Sequence, residues 1–340
     1  MRSVRLALAA TAISVISMIG FVQPASAGDD ARDRRAPADT IARSAAQQQN
    51  GPAAVERAKA YWTPERIKRV LSRPAADAGA AAARDTRAPG AAAGQRRTPD
   101  GPAGSVPSTA PTVRGSKNLA GPLANTGLVL FRTPAGNQSW CTASAVTSPS
   151  RMMVVTAGHC VVEGGSGSRP GGARWMRDWV YLPAYHGATP LPYGYFPAKE
   201  FTAFNGWINN TDFNYDIAMV TLHPNGAGRV GDVTGTNGLA WNWSMQEYLS
   251  AVGYPDNIQN GEYQQFCSGH TSSSLVDPAK LQLQCHFGGG ASGGPWLMNF
   301  NGISGEINGV SILLRSDGFN ESPYFDTKVY DMWLTQGVRT

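Results

Sequence analysis

Charge is scarce in this sequence, and long apolar runs are scarcer. Asp, Glu, Lys and Arg make up 16% of the 340 residues. Beyond residue 27 no stretch is long and apolar enough to span a membrane. Cysteine occurs four times, at 141, 160, 267 and 285, and no histidine follows His286. The formal net charge of +5 hints at an acidic partner, but it is unevenly placed. Residues 1–115 hold 17 Lys and Arg against 9 Asp and Glu, whereas residues 116–340 hold 12 against 15. The back segment therefore gives no electrostatic case for a nucleic-acid partner.

What is present points to turns and short strands. Hydrophobic content is 42%, with 39 Gly and 23 Pro. The length allows one to three domains. Residues 1–27 read as a signal peptide. Arg2 and Arg5 give a positive start, Leu6 to Val22 an apolar stretch, and Ala25-Ser26-Ala27 a small-residue cleavage site. A transmembrane anchor is the rival, and the short run followed by that site argues against it. The protein is thus expected to be secreted and extracellular, with no membrane anchor after processing. Exported cysteines pair. Four allow three pairings, of which Cys141–Cys160 with Cys267–Cys285 is the simplest. Each loop of about 20 residues would contribute ~3 kcal/mol.

Residues 28–115 are rich in Ala, Pro and Arg, and Ala75 to Gly94 is nearly low-complexity. Such composition predicts a largely disordered prosegment. Tyr61 to Leu71 is the exception. Thr63 suits an N-cap, Pro64 the first helical position, and Ile67, Val70 and Leu71 share a face. Two readings stand: a propeptide helix that docks on the enzyme, or a transient helix in a linker. From about 116 onward, strand candidates follow closely: Thr126 to Phe131, Trp140 to Val146, Met152 to Thr156, Trp179 to Leu182, Asp216 to Leu222, Tyr248 to Val252, Gln282 to Cys285, Gly294 to Met298 and Gly309 to Leu314. Many short strands at this spacing imply an all-β sandwich or barrel, closed by a short helix over Val329 to Thr335.

Three motifs carry chemistry. In Val154-Val155-Thr156-Ala157-Gly158-His159-Cys160, a β-branched strand ends in small residues that let His159 project from a tight turn. In Asn214-Tyr215-Asp216-Ile217-Ala218, Asp216 stands before an apolar run, where a carboxylate needs a partner. Asp212 is a rival without a buried strand behind it. In Gly288-Gly289-Gly290-Ala291-Ser292-Gly293-Gly294-Pro295, glycines flank a serine and permit unusual backbone angles and close approach of a substrate.

Thr-Ala-Gly-His-Cys, then Asp-Ile-Ala, then Gly-x-Ser-Gly-Gly-Pro, in that order, resembles the chymotrypsin/trypsin family of serine peptidases. Together with the signal and prosegment, the chain is similar to secreted trypsin-like peptidases of actinobacteria, near the glutamyl-endopeptidase branch. The resemblance implies two six-stranded antiparallel β-barrels over residues 116–340, and a monomer that acts on protein or peptide substrates. It implies Ser292 as nucleophile, His159 as general base and Asp216 as its orienting partner, with Gly290 and Ser292 N–H groups as the oxyanion hole. It implies no metal and no cofactor. The chain's own propeptide is the other expected partner, as in a zymogen.

The family pattern is broken in places. Ala291 stands where the trypsin branch has an Asp that receives a new N-terminal amine, so activation should instead remove a blocking prosegment. His286 falls at the pocket-floor position, and Val310 stands where glutamyl endopeptidases place a histidine. Glutamyl specificity is therefore an alternative rather than the expectation. His286 is read either as a pocket residue or as a structural histidine beside a disulfide, and Ser311 as lining the substrate strand. Gly-x-Ser-x-Gly also fits an esterase elbow, but that fold needs a histidine after the serine. Cys267, His270, Cys285 and His286 are an awkward zinc set. A catalytically silent binding protein on the same fold usually lacks a triad member, and all three are present here.

Overall fold

The computed structural model describes residues 38–45, 51–75, 99–112, 121–187 and 191–340. The expected signal peptide and most of the low-complexity stretch lie outside these residues. Among the described residues, no helix is long and apolar enough to cross a membrane.

The strands are β1 (Ile41–Ala45), β2 (Gly104–Val106), β3 (Thr126–Arg132), β4 (Gln138–Ala145), β5 (Met153–Thr156), β6 (Arg177–Pro183), β7 (Phe196–Phe204) and β8 (Ala218–Leu222), followed by β9 (Gly238–Trp241), β10 (Tyr248–Gly253), β11 (Gln265–His270), β12 (Ser272–Ser273), β13 (Lys280–Gln284), β14 (Pro295–Met298), β15 (Glu306–Val310), β16 (Leu313–Leu314) and β17 (Phe319–Pro323). In the first half the order is β7-β6-β3-β4-β5-β8, and β8 pairs back to β7. This closes a six-stranded barrel as expected, with β6 pairing only Phe196 and Pro197 of β7. Val129, Phe131, Trp179 and Tyr181 point into its core.

The second half departs from the expected closed barrel. It forms a six-stranded sheet, β11-β10-β14-β15-β9-β2, and a four-stranded sheet, β12-β13-β17-β16. The pairing β9–β15 is parallel. The Cys267–Cys285 disulfide links β11 to the end of β13, so a covalent bond joins the two sheets. The run read as one strand over Gly309 to Leu314 is broken between β15 and β16, because Ser311 exchanges main-chain bonds with Gly293 and Gly294 of the serine loop. The terminal helix covers Thr327–Gly337.

The stretch expected as a prosegment, residues 28–115, differs most from expectation. Its described stretches are ordered and packed on the body. β1 adds antiparallel to β7 outside the closed barrel. Helix α1 (Gly51–Tyr61) leads into helix α2 (Pro64–Leu71). Thr63 caps α2 as anticipated, accepting from the Arg66 N–H, and Ile67, Val70 and Leu71 are buried. The helix is docked, so composition alone was a poor guide here. Its low hydrophobic content is offset by a cluster shared with the barrel: Trp62, Val70 and Leu71 pack with Leu128, Leu130 and Val180. Residues 99–112 belong to the second half. β2 pairs with β9, and Asp100 Oδ1 accepts from Thr327 N and Oγ1 at 3.0 and 2.6 Å at the start of the terminal helix.

Candidate active site

His159 sits in a 3-10 turn, Gly158–Cys160, directly after β5. Three contacts fix that turn. The Cys141–Cys160 disulfide ties it to β4. Trp179 Nε1 donates to the Cys160 carbonyl at 3.0 Å. Trp207, from the helix Asn205–Asn210, lies with its ring centroid 6.0 Å from the imidazole and donates to the Val162 carbonyl. A Cβ on residue 158 would come within 2.9 Å of Asp216 Oδ1 and 3.0 Å of Trp207, so glycine is needed there for close approach rather than for flexibility.

Asp216 follows a second 3-10 turn, Phe213–Tyr215. Its rival, Asp212, is the cap of that turn, accepting from the Asn214 N–H at 2.9 Å. Asp216 itself is fully buried. Oδ1 accepts from the His159 backbone N–H at 2.7 Å, and Oδ2 lies 2.7 Å from His159 Nδ1. Both carboxylate oxygens therefore have a partner, which offsets the cost of burying the charge. The pair fixes the imidazole at both its main chain and its ring.

Ser292 comes from the second half and is brought to the first by its main chain. Its carbonyl accepts from Thr142 N–H at 2.8 Å and lies 3.7 Å from Cys160 Sγ, beside the His159 turn. Gly293 has φ +79°, and a Cβ there would sit 2.0 Å from Thr156 Oγ1, so the residue after the serine must be glycine for both space and backbone angle.

The Gly288–Gly290 run is held by residues that the sequence did not single out. Asp256 N–H donates to the Gly289 carbonyl at 2.7 Å. In a planar trans amide the N–H points opposite to the carbonyl, so this bond turns the Gly290 N–H away from Asp256. Thr142 Oγ1 donates to the Gly290 carbonyl at 2.9 Å. Asn257 accepts from Gly288 N–H and donates to the His286 carbonyl. Gly290 has φ +83°, and a Cβ would meet Trp140 Nε1 at 2.1 Å. Gly290→Ala is accordingly expected to displace this peptide and lower kcat by about 10²–10³-fold, the size of losing one oxyanion donor. Steady-state kinetics on a peptide substrate, with circular dichroism to confirm the fold, would check it.

The two expected pocket residues are placed as follows. His286 is exposed, with φ +56°, and its ring lies against Gly318. Ser311 is buried, and its Oγ accepts from Trp296 Nε1 at 2.9 Å. Asn320 was not anticipated. Its carboxamide accepts from Phe287 N–H at 2.9 Å and donates to the Phe287 carbonyl at 2.8 Å and the Leu313 carbonyl at 3.3 Å, tying the segment before the serine to β16. Both disulfides of the simplest pairing are formed. The sulfurs of Cys267 and Cys285, and those of Cys141 and Cys160 beside His159, are thereby unavailable as thiolate ligands. Burial pushes the Tyr254 phenol well above its usual range, so it remains a donor to the Tyr185 carbonyl.

A closed six-stranded barrel, a second β unit, and a buried His–Asp pair whose turn lies beside the main chain of a glycine-flanked serine are the features of a chymotrypsin-like serine protease. Solved structures agree. The chain is similar to the thermostable serine protease AL20 from an extremophilic microorganism, at 28% identity and TM-score 0.58, over 64% of this chain and 98% of that one. It is similar to the protease Anisep from Arthrobacter nicotinovorans, also at 28% and 0.58, over 68% of this chain and 99% of that one. No protein-family model matches the chain, and no curated protein matches it. By fold and by these likenesses the chain is a serine endopeptidase.

Proposed function

We propose that the chain is an exported serine endopeptidase that cleaves peptide bonds through an acyl-enzyme on Ser292. His159 takes the serine proton and later passes it to the leaving amine, while Asp216 orients the ring. The Gly290 and Ser292 N–H groups receive the oxyanion. The observation that carries this reading is the double contact of Asp216 on His159, to backbone N–H and ring, with the Ser292 main chain packed against the same turn. No metal or cofactor enters the mechanism. Export is supported by the amino-terminal pattern and by two disulfides, which persist in oxidising compartments. The chain is made with a prosegment. Integration of residues 99–112 into the second half supports a catalytic unit that begins upstream of Pro99.

A fluorophosphonate probe is expected to label the active protein on one residue, Ser292, and to abolish peptide hydrolysis in proportion to labelling. Mass mapping of the modified peptide tests this. Peptide hydrolysis that persists at complete labelling would sink the proposal.

A further inference from the structure

The outer face of the first barrel is apolar and covered. Successive strand residues point to opposite faces. In β3 and β6 the inward set is Val129, Phe131, Trp179 and Tyr181. The outward set is Leu128, Leu130, Val180 and Leu182, and all four are fully buried. A strand that faces water on one side ordinarily alternates apolar with polar. Here both faces are apolar, and the second is covered by α1 and α2 together with Trp140, Tyr185 and Tyr254.

Polar bonds hold that cover at each end. Trp62 Nε1 donates to the Asp178 carbonyl at 2.6 Å, and Tyr195 Oη donates to the Trp62 carbonyl at 2.9 Å. Gln138 Nε2 donates to Tyr61 Oη at 2.9 Å. At the other end, Ala75 N–H donates to Asp256 Oδ2 at 3.1 Å. Asp256 is also the residue whose main-chain N–H holds the Gly289 carbonyl. The docked segment thus ends on the residue that holds the Gly290 peptide.

We infer that residues 51–75 are a retained part of the working enzyme, whether or not the chain is cut after them, and not a prosegment that departs. Departure would uncover a contiguous apolar patch on the catalytic half, of the kind that soluble monomers avoid, and would remove a support from the oxyanion loop. The inference rests on the reading of the chain as a serine endopeptidase acting through Ser292.

The test uses the full chain, expressed and allowed to process. Active protein is labelled with a fluorophosphonate, separated by size exclusion and analysed by native mass spectrometry with peptide mapping. The expected result is one copy of segment 51–75 with each labelled catalytic unit. Fully active, labelled enzyme without any peptide from 51–75 would overturn the inference. Protein that keeps the segment but takes no label would instead overturn the reading of Ser292, so the two failures are distinct. Trp62→Ala in the full chain should lower recovery of segment-bearing labelled enzyme by at least about 10-fold, since it deletes a fully buried anchor and its hydrogen bond. If that variant does not fold, the wild-type measurement decides alone.

Discussion

Ser292→Ala is expected to lower kcat on a peptide substrate by about 10⁶-fold and to leave the structure in place. The replacement removes one oxygen and keeps everything that seats the loop. The Ser292 carbonyl still accepts from Thr142 N–H, Gly293 N–H still donates to the Ser311 carbonyl at 2.7 Å, and Ser311 N–H still donates to the Gly294 carbonyl at 2.9 Å. Residue 292 is only 6% exposed, so the change costs little solvation. What is lost is the proposed acyl acceptor, and His159 is then left without the hydroxyl it is proposed to deprotonate. Activity should not fall to the uncatalysed rate, because the glycine-loop N–H groups remain and about 10³–10⁴-fold over water typically survives loss of a triad member. Kinetics with a melting curve tests both halves. A variant with near-native kcat would remove Ser292 from the mechanism, and a collapse in Tm would show that the serine is structural.

Much of this site was legible in the sequence because its chemistry is local. His159 must leave a strand through Ala157-Gly158, and Ser292 must sit among glycines, so each leaves a short pattern. The disulfides were legible for the same reason, being closed over separations of 19 and 18 residues. The supports of the site were not. Asp256, Asn257, Thr142 and Asn320 are ordinary polar residues, and they act only because distant segments meet. The packing of residues 51–75 was only partly legible for a related reason. Their composition is poor in apolar residues, and the surface that orders them belongs to another part of the chain. The clue lay in Leu128-Val129-Leu130-Phe131, a run with no alternation, which marks a strand buried on both faces. The break between β15 and β16 was equally hidden, since the run Gly309 to Leu314 does not reveal that Ser311 is turned aside to bond the serine loop.

Asp216→Asn separates orientation from chemistry more sharply than any truncation. Asp216 presents two acceptors to two donors: the His159 backbone N–H at Oδ1 and ring Nδ1 at Oδ2, both at 2.7 Å. An asparagine of the same shape offers one acceptor and one donor. If its oxygen keeps the backbone N–H, its amide must face Nδ1 as a donor, and the imidazole then carries its proton on Nε2. That tautomer cannot accept the serine proton. If the amide turns over, it faces the backbone N–H donor to donor at a fully buried position, which costs about 1–3 kcal/mol for the unsatisfied group. The first arrangement should therefore prevail, with the fold preserved and kcat lowered by about 10⁴-fold. KM should change little, because Asp216 is buried behind His159 and touches no substrate. The loss should ease at high pH, where hydroxide can replace the missing base. A pH–rate profile of the variant tests this: a profile parallel to wild type, with only a few-fold loss, would show that Asp216 does not set the tautomer of His159.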